Sequence, residues 1–261
     1  MKKTSILFAI IAFSFTTFAQ NGFQLGFTVA PNLSWVKPNT DNIERDGLKF
    51  GFNFGLMGDF NFADNYSFST GISLVNAGGK IVKPDIQTFN NNNGNPTIGY
   101  GQTEADIRLK YIEVPLTLKL KTNEIGYMKY YAQFGFGLGF NYDATADEKF
   151  SYSTNTTNGG ATLTNDDVDY SDEVNAIRTS LIVGLGAEYN LSGNTSLVFG
   201  VTFNNGFTNV FSEDSFKADA NGNAQTPNSS DGSINAEFTG KRDQDAKAVN
   251  NYLSLNVGVL F

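Results

Sequence analysis

The sequence has no histidine, no cysteine and one tryptophan in 261 residues. Without an imidazole, a Ser-His-Asp or other histidine-dependent hydrolase mechanism is excluded, because nothing of that kind is present to take the serine proton. Lacking both histidine and cysteine, the chain also has no transition-metal site of the usual kind. The missing cysteines leave no disulfide staple and no lipobox cysteine, which excludes a disulfide scaffold and a lipoprotein. Cationic side chains are scarce, with 18 Lys and Arg against 26 Asp and Glu. Nucleic acid, which needs clustered Lys and Arg, is not an expected partner. Past the first twenty residues no apolar run approaches a transmembrane helix, so a membrane-embedded form has to be a closed barrel.

The chain opens MKKTSILFAIIAFSFTTFAQ. Lys2 and Lys3 form a positive end, Ile6 to Phe18 is apolar, and Thr17 and Ala19 are the small residues before a cleavage site. This reads as a secretory signal peptide over residues 1–19, with 20–261 forming one domain. A membrane anchor is the alternative, but the apolar run falls short of the roughly 18 residues that a spanning helix needs. Removing the two lysines from the 18 cationic side chains leaves ten more acidic than basic groups in the exported part.

The exported part is organised around Arg108 to Tyr142, which reads as two long strands joined by a polar turn. Ile112, Val114, Leu116, Leu118 and Leu120 share one face, with Glu113, Thr117, Lys119 and Lys121 opposite. In the second strand Tyr130, Ala132, Phe134, Phe136, Leu138, Phe140 and Tyr142 alternate with Tyr131, Gln133, Gly135, Gly137, Gly139 and Asn141. Alternation with a period of two over this length specifies a strand with one apolar and one polar or small face. Six further segments repeat the pattern: Phe23–Trp35, Leu48–Phe60, Tyr66 to about Val82, Val174–Leu191, Thr195–Val210 and Ala248–Phe261. Pro115 should mark a bulge or a gap in the ladder.

Connections alternate in length. Asn61–Asn65, Thr122–Tyr127 and Ser192–Asn194 are short turns. Val36–Gly47, about Lys83–Asp106, Asp143–Glu173 and Phe211–Lys247 are long polar loops. Long structureless loops are uncommon in a compact soluble domain. Short turns at one end and long loops at the other are the pattern of an outer-membrane barrel. A soluble lipocalin-like barrel has the opposite sense, apolar inside and polar outside. Three features favour the membrane form: glycine-rich inward faces (Gly51, Gly55, Gly135, Gly137, Gly139, Gly184, Gly186) that suit a narrow eight-stranded interior, the loop asymmetry, and the aromatic Phe261 in the apolar row of the last strand. The expected fold is all-β, a single eight-stranded antiparallel up-and-down transmembrane barrel with short periplasmic turns and long extracellular loops. A turn centred on Gly193 would set Leu185 opposite Val201 in lipid and Gly184 opposite Thr202 in the lumen.

The hairpin LKYIEVPLTLKLKTNEIGYMKYYAQFGFGLGFNYDATADE (Leu109–Glu148) resembles that of the PorT-like outer-membrane β-barrel family of Bacteroidetes-type bacteria. Phe23–Pro38 is similar to that family's first strand, and Ile177–Phe211 to its sixth and seventh. The resemblance implies delivery by the Sec route, folding by the barrel assembly machinery and residence in the outer membrane among lipid and lipopolysaccharide. It also implies a tie to type IX secretion and its components, since the founding member has one; most relatives have no assigned activity.

Five charges fall on the inward faces: Asp59, Glu113, Lys119, Arg178 and Glu188. They are read as an internal salt-bridge network, with a proton or ion path or a paired carboxylate site as the alternatives, and buried charges must be paired to be tolerated. Phe261 is read as an assembly signal. The acidic run Asp166, Asp167, Asp169, Asp172, Glu173 is read as a solvated loop rather than a calcium site, since it lacks fixed ligand spacing. Asp219–Asn223 matches a calcium loop over too few residues to count. No cofactor is implied. The expected function is non-enzymatic, a structural or interaction role through surface loops; the alternatives are an accessory part in type IX secretion and a small channel. The sequence specifies no oligomeric state.

Overall fold

A computed structural model describes residues 22–90, 94, 96–153, 161–227 and 239–261. The signal peptide assigned to residues 1–19 lies outside these, as do Asn91–Asn93, Asn95, Thr154–Gly160 and Asn228–Phe238 of the long polar stretches. The strands are β1 (Phe23–Pro38), β2 (Glu44–Gly47), β3 (Lys49–Ala63), β4 (Tyr66–Asn90), β5 (Pro96–Lys121), β6 (Met128–Ser153), β7 (Ala161–Asp169), β8 (Ile177–Ser192), β9 (Thr195–Gly206) and β10 (Ala248–Leu260). Eight of them form a closed antiparallel ring in the order β1, β3, β4, β5, β6, β8, β9, β10. The ring closes where β10 pairs with β1, from Gly26↔Leu260 to Pro38↔Ala248. The short strands β2 and β7 stand off the ring, on β4 and β6.

The alternation of the sequence becomes the two sides of the wall. Phe27, Phe54, Leu116, Phe136 and Leu255 point outward and are exposed, as is Leu185 at 67%. Gly193 takes a left-handed φ of 58° in the tight β8–β9 turn, which pairs Ser192 with Thr195; a one-residue shift between Asn190 and Ser192 then sets Leu185 opposite Val201 and Gly184 opposite Thr202. On β5 the outward row Ile112 to Leu120 covers about 27 Å along the strand at ~3.4 Å per residue. At a tilt of ~40° that is about 20 Å along the barrel axis, close to the apolar belt of an outer-membrane barrel. Inside, glycines receive larger neighbours. A Cβ on Gly186 or Gly200 would lie 2.4 or 2.6 Å from the Tyr131 hydroxyl, so this ring fills the space both residues leave.

Two of the expected loops are largely strand. Lys83–Asp106 is not an irregular loop: β4 runs on to Asn90, β5 starts at Pro96, and the two stay paired from Lys80↔Asp106 to Asn90↔Pro96. Asp143–Glu173 likewise contains the end of β6 and all of β7. The acidic run is therefore partly β-structure, with Asp166, Asp167 and Asp169 in β7. These segments escape a search for apolar alternation because they hold one another by backbone pairing.

Above the belt the sidedness of the wall inverts. On β5 the odd positions keep pointing inward but become apolar: Tyr111, Leu109, Ile107 and Ala105 are all buried. The even positions, Lys110, Arg108, Asp106 and Glu104, carry charge on the outside. On β6 a one-residue bulge at Tyr142 (Lys110↔Asp143, then Tyr111↔Asn141) shifts the inward set from odd to even numbers, so that Ala144, Ala146 and Phe150 turn in. Pro115 interrupts the ladder to β4, which passes from Thr70↔Leu116 to Ser73↔Glu113.

Candidate functional sites: the interior charges and the outer sheet

All five inward charges lie inside the barrel, in two separate layers. Near the periplasmic end Lys119 Nζ lies 2.7 Å from Asp59 Oδ2 and 3.7 Å from Glu188 Oε1. Lys121 Nζ completes the layer at 3.3 Å from Asp59 and 3.0 Å from Glu188. Ser69 Oγ donates to the other Asp59 oxygen at 2.6 Å, and Lys119 sits over the Tyr131 ring. The layer holds two cations and two anions and is neutral. Lys121 shares the face of Lys119 in the alternation, so the pattern that marked one marks both. Asp64, Lys129 and Asn190 join Lys121 and Glu188 around an open vestibule at this end.

The second layer is six residues further along β5, roughly 20 Å at ~3.4 Å per residue. Arg178 Nη1 donates to Glu113 at 2.8 Å and Nη2 to Asn204 at 2.6 Å. Glu113 also accepts from the Tyr252 hydroxyl at 2.8 Å and from the Asn204 amide at 3.2 Å. The guanidinium lies between the Tyr111 and Tyr252 rings, 5.7 and 5.3 Å from their centres. Asn204 and Tyr252 were not singled out by the sequence, since an amide and a phenol inside a polar lumen leave no charge signal. Between the layers is a polar chamber lined by Thr117, Gln133, Thr202, Ser254 and Asn256. The arrangement ties cations to anions across strands, and each layer spans the narrow interior.

Just beyond the second layer the wall draws together. At Gly78–Gly79, β4 leaves its register with β3 and lies against β1: a Cβ on Gly79 would be 2.4 Å from the Val36 nitrogen. The side chain of Asn250 fastens the crossing by donating to Trp35 O at 3.3 Å and Gly78 O at 3.1 Å. Above it, Ile81, Ile107, Leu109, Ala146, Tyr170 and Phe211 belong to one buried apolar cluster that includes the loop residues Ile43, Val174 and Ala246. The long loops supply apolar anchors to this cluster that their polar composition conceals.

A family model for the outer membrane protein beta-barrel domain matches residues 18–212. The chain belongs to that family. Among solved structures it is similar to the outer membrane protease OmpT from Escherichia coli, at 11% identity over 94% of this chain and 97% of that one, with a TM-score of 0.50. Ail, the attachment invasion locus protein of Yersinia pestis, is 15% identical over 92% and 99%, with a TM-score of 0.36. Neisserial surface protein A is 14% identical over 92% and 98%, with a TM-score of 0.40. At such identities the likeness concerns fold alone. A comparison with curated proteins gives no match.

This outer-membrane barrel carries a second polar region, on the outside of its extracellular sheet. Arg108 donates to both oxygens of Asp147, at 2.6 and 2.8 Å, and to Asp167 at 2.6 Å. Hydrogen bonds from Arg108, then from the Asp167 backbone N–H, hold the Asp147 carboxyl down at about 2. Lys110 pairs with Asp143 at 2.7 Å, Lys149 with Glu104 at 3.1 Å, and Lys49 with Asp106. Inside the sheet the Tyr170 hydroxyl donates to Glu148; burial and that carboxylate raise its pKa above the usual phenol range. Asp219 accepts from the backbone N–H groups of Asn221 and Asn223, so it shapes its own turn. Phe261 exchanges backbone hydrogen bonds with Leu25 at 3.1 and 2.7 Å and turns its ring outward.

Proposed function

We propose that this outer-membrane barrel is a sealed, non-catalytic platform that presents its extracellular sheet to binding partners. The observation that carries this reading is the closure at Gly78–Gly79 beneath an apolar cluster, with the sheet continuing beyond it. A conducting pore needs a continuous wet path, and eight strands leave room for little more than side chains. The lack of histidine supports a non-catalytic role. The belt sits among lipid and lipopolysaccharide, and the assembly machinery is the companion during biogenesis. The test is the purified protein in planar bilayers: no steady conductance is expected, and a persistent open level would overturn the sealed reading in favour of a small channel. A second reading, an accessory part in type IX secretion, is supported by the PorT-like hairpin at Leu109–Glu148. Deleting the gene and profiling secreted proteins tests it, with unchanged secretion counting against it.

A further inference from the structure

We propose that the edge of β7 away from β6 is a docking site for an extended, lysine- or arginine-rich segment of another protein, which joins the extracellular sheet as one more strand. This rests on the reading of that sheet as a binding platform.

Beyond the bilayer the strands β2, β4, β5, β6 and β7 run side by side. The two margins of this sheet differ. On the β4 side, β2 pairs with residues 80–82, and further up Ile86 shares a small cleft with Phe216, Lys217, Thr239, Gly240 and Lys241. On the β7 side, β6 is the one strand paired with β7 among the described residues. Every second residue of such an edge directs its N–H and C=O away from its neighbour, a template for another strand. Thr162, Thr164, Asn165, Asp166 and Asp169 are exposed along it. Edges are commonly blunted by lysine or proline, and β7 (ATLTNDDVD) has neither. It has one irregularity, at Asp166–Asp167, where Asp167 takes a φ of 57° and the register to β6 shifts. The stretch above that bulge, Ala161–Asn165, pairs regularly with Tyr152–Glu148.

Charge decides what can join. Asp167 is held by Arg108, whereas Asp166 and Asp169 make no ion pair among the described residues. Two copies of this edge laid together would bring like charge to like, since neither supplies a cation for Asp166 or Asp169, which disfavours self-association. A strand carrying Lys or Arg meets opposite charge instead, and cross-strand pairs of opposite sign are favourable. Backbone pairing would supply affinity, and the carboxylates the choice of partner.

The test uses the whole protein in nanodiscs and a fluorescent peptide alternating lysine and threonine, read by anisotropy. Binding is expected, weakening with salt. A glutamate–threonine peptide should bind at least tenfold more weakly. The lysine peptide methylated on alternate backbone nitrogens keeps its charge but loses the donors along one edge, and should also weaken about tenfold or more. The double variant Asp166→Asn, Asp169→Asn should bind the lysine peptide about fivefold more weakly, given the modest strength of exposed pairs. Should that variant fail to fold, judged by gel mobility, the methylated peptide on the unaltered protein still decides. Equal binding of methylated and unmethylated peptides would overturn the inference, as would no binding, or dimers that the peptide disperses. A conducting barrel that still binds would remove the sealed reading and leave this one; a silent barrel that ignores the peptide would do the reverse.

Discussion

Asp59, Lys119, Lys121 and Glu188 form a neutral layer in which the first two lie 2.7 Å apart and almost wholly inaccessible. Replacing Lys119 by methionine keeps the stem and removes the ammonium. Two carboxylates then share Lys121, and one negative charge is left without compensation. Breaking a buried pair in this way costs ~3–5 kcal/mol. Lys121 and Glu188 border the open vestibule, so water relieves part of this, and about 3 kcal/mol is the expectation here. Asp59→Asn keeps an acceptor for Ser69 and leaves one excess positive charge, again at a cost of about 3 kcal/mol. The double variant keeps Lys121 and Glu188 at 3.0 Å and restores neutrality. It should lose distinctly less than the sum of the single losses, with a coupling of about 2–3 kcal/mol, the upper range for groups in one network. Urea unfolding in lipid vesicles at neutral pH, followed by the fluorescence of Trp35, measures all four proteins; this sole tryptophan stacks on Phe203 at the outer wall. Additivity within about 0.5 kcal/mol would refute the reasoning, because it would mean that the charges do not depend on one another.

Four more outcomes follow from the same geometry. Val201→Lys places an ammonium on the lipid face and should cost ~2–4 kcal/mol by the same unfolding assay. Gly79→Val drives a side chain into the β1 backbone at Val36 and should cost about 1–3 kcal/mol, with faster amide exchange around Trp35 and Val36; unchanged exchange would contradict the crossing. Asp147 titrates near 2 when folded and near 3.8 when unfolded, so its contribution is present above pH 4 and lost as pH falls towards 2. That carboxylate is partly exposed, so the loss should stay below about 1 kcal/mol and show as quicker exchange in β6 and β7 under acid; loosening at alkaline pH would have the wrong sign. Phe261→Ala should lower the amount of heat-modifiable barrel in the outer membrane, and unchanged levels would count against Phe261 as an assembly signal.

The ring was legible in the sequence because lipid and a narrow lumen impose opposite demands on alternate residues. Leu185 and Gly184 could be set against Val201 and Thr202 from the sequence by centring the turn on Gly193; the structure reaches that register through a two-residue turn followed by a one-residue shift at Leu191, which the sequence did not signal. The extracellular half was not legible in the same way. Glu104-Ala105-Asp106-Ile107-Arg108-Leu109-Lys110-Tyr111 alternates as cleanly as the belt. Its apolar residues, however, share parity with Glu113 and Lys119, so one template for the whole strand breaks at Tyr111. The reversal follows from the change of solvent: above the headgroups water lies outside, and the apolar row must turn inward. Lys121, one alternation beyond Lys119, carries the same signal, whereas Asn204 and Tyr252 reveal themselves only when Glu113 and Arg178 are brought together.

The inversion of the wall can be tested directly because the chain has no cysteine to remove before labelling. Single cysteines placed along β5 can carry spin labels, with oxygen as the lipid-soluble relaxant and a nickel chelate as the water-soluble one. Positions 112, 116 and 120 should respond to oxygen, positions 102 and 104 to the chelate, and positions 107 and 109 to neither. Strong oxygen accessibility at 107 and 109 would contradict the account, since it would put in lipid the residues assigned to the buried core above the belt.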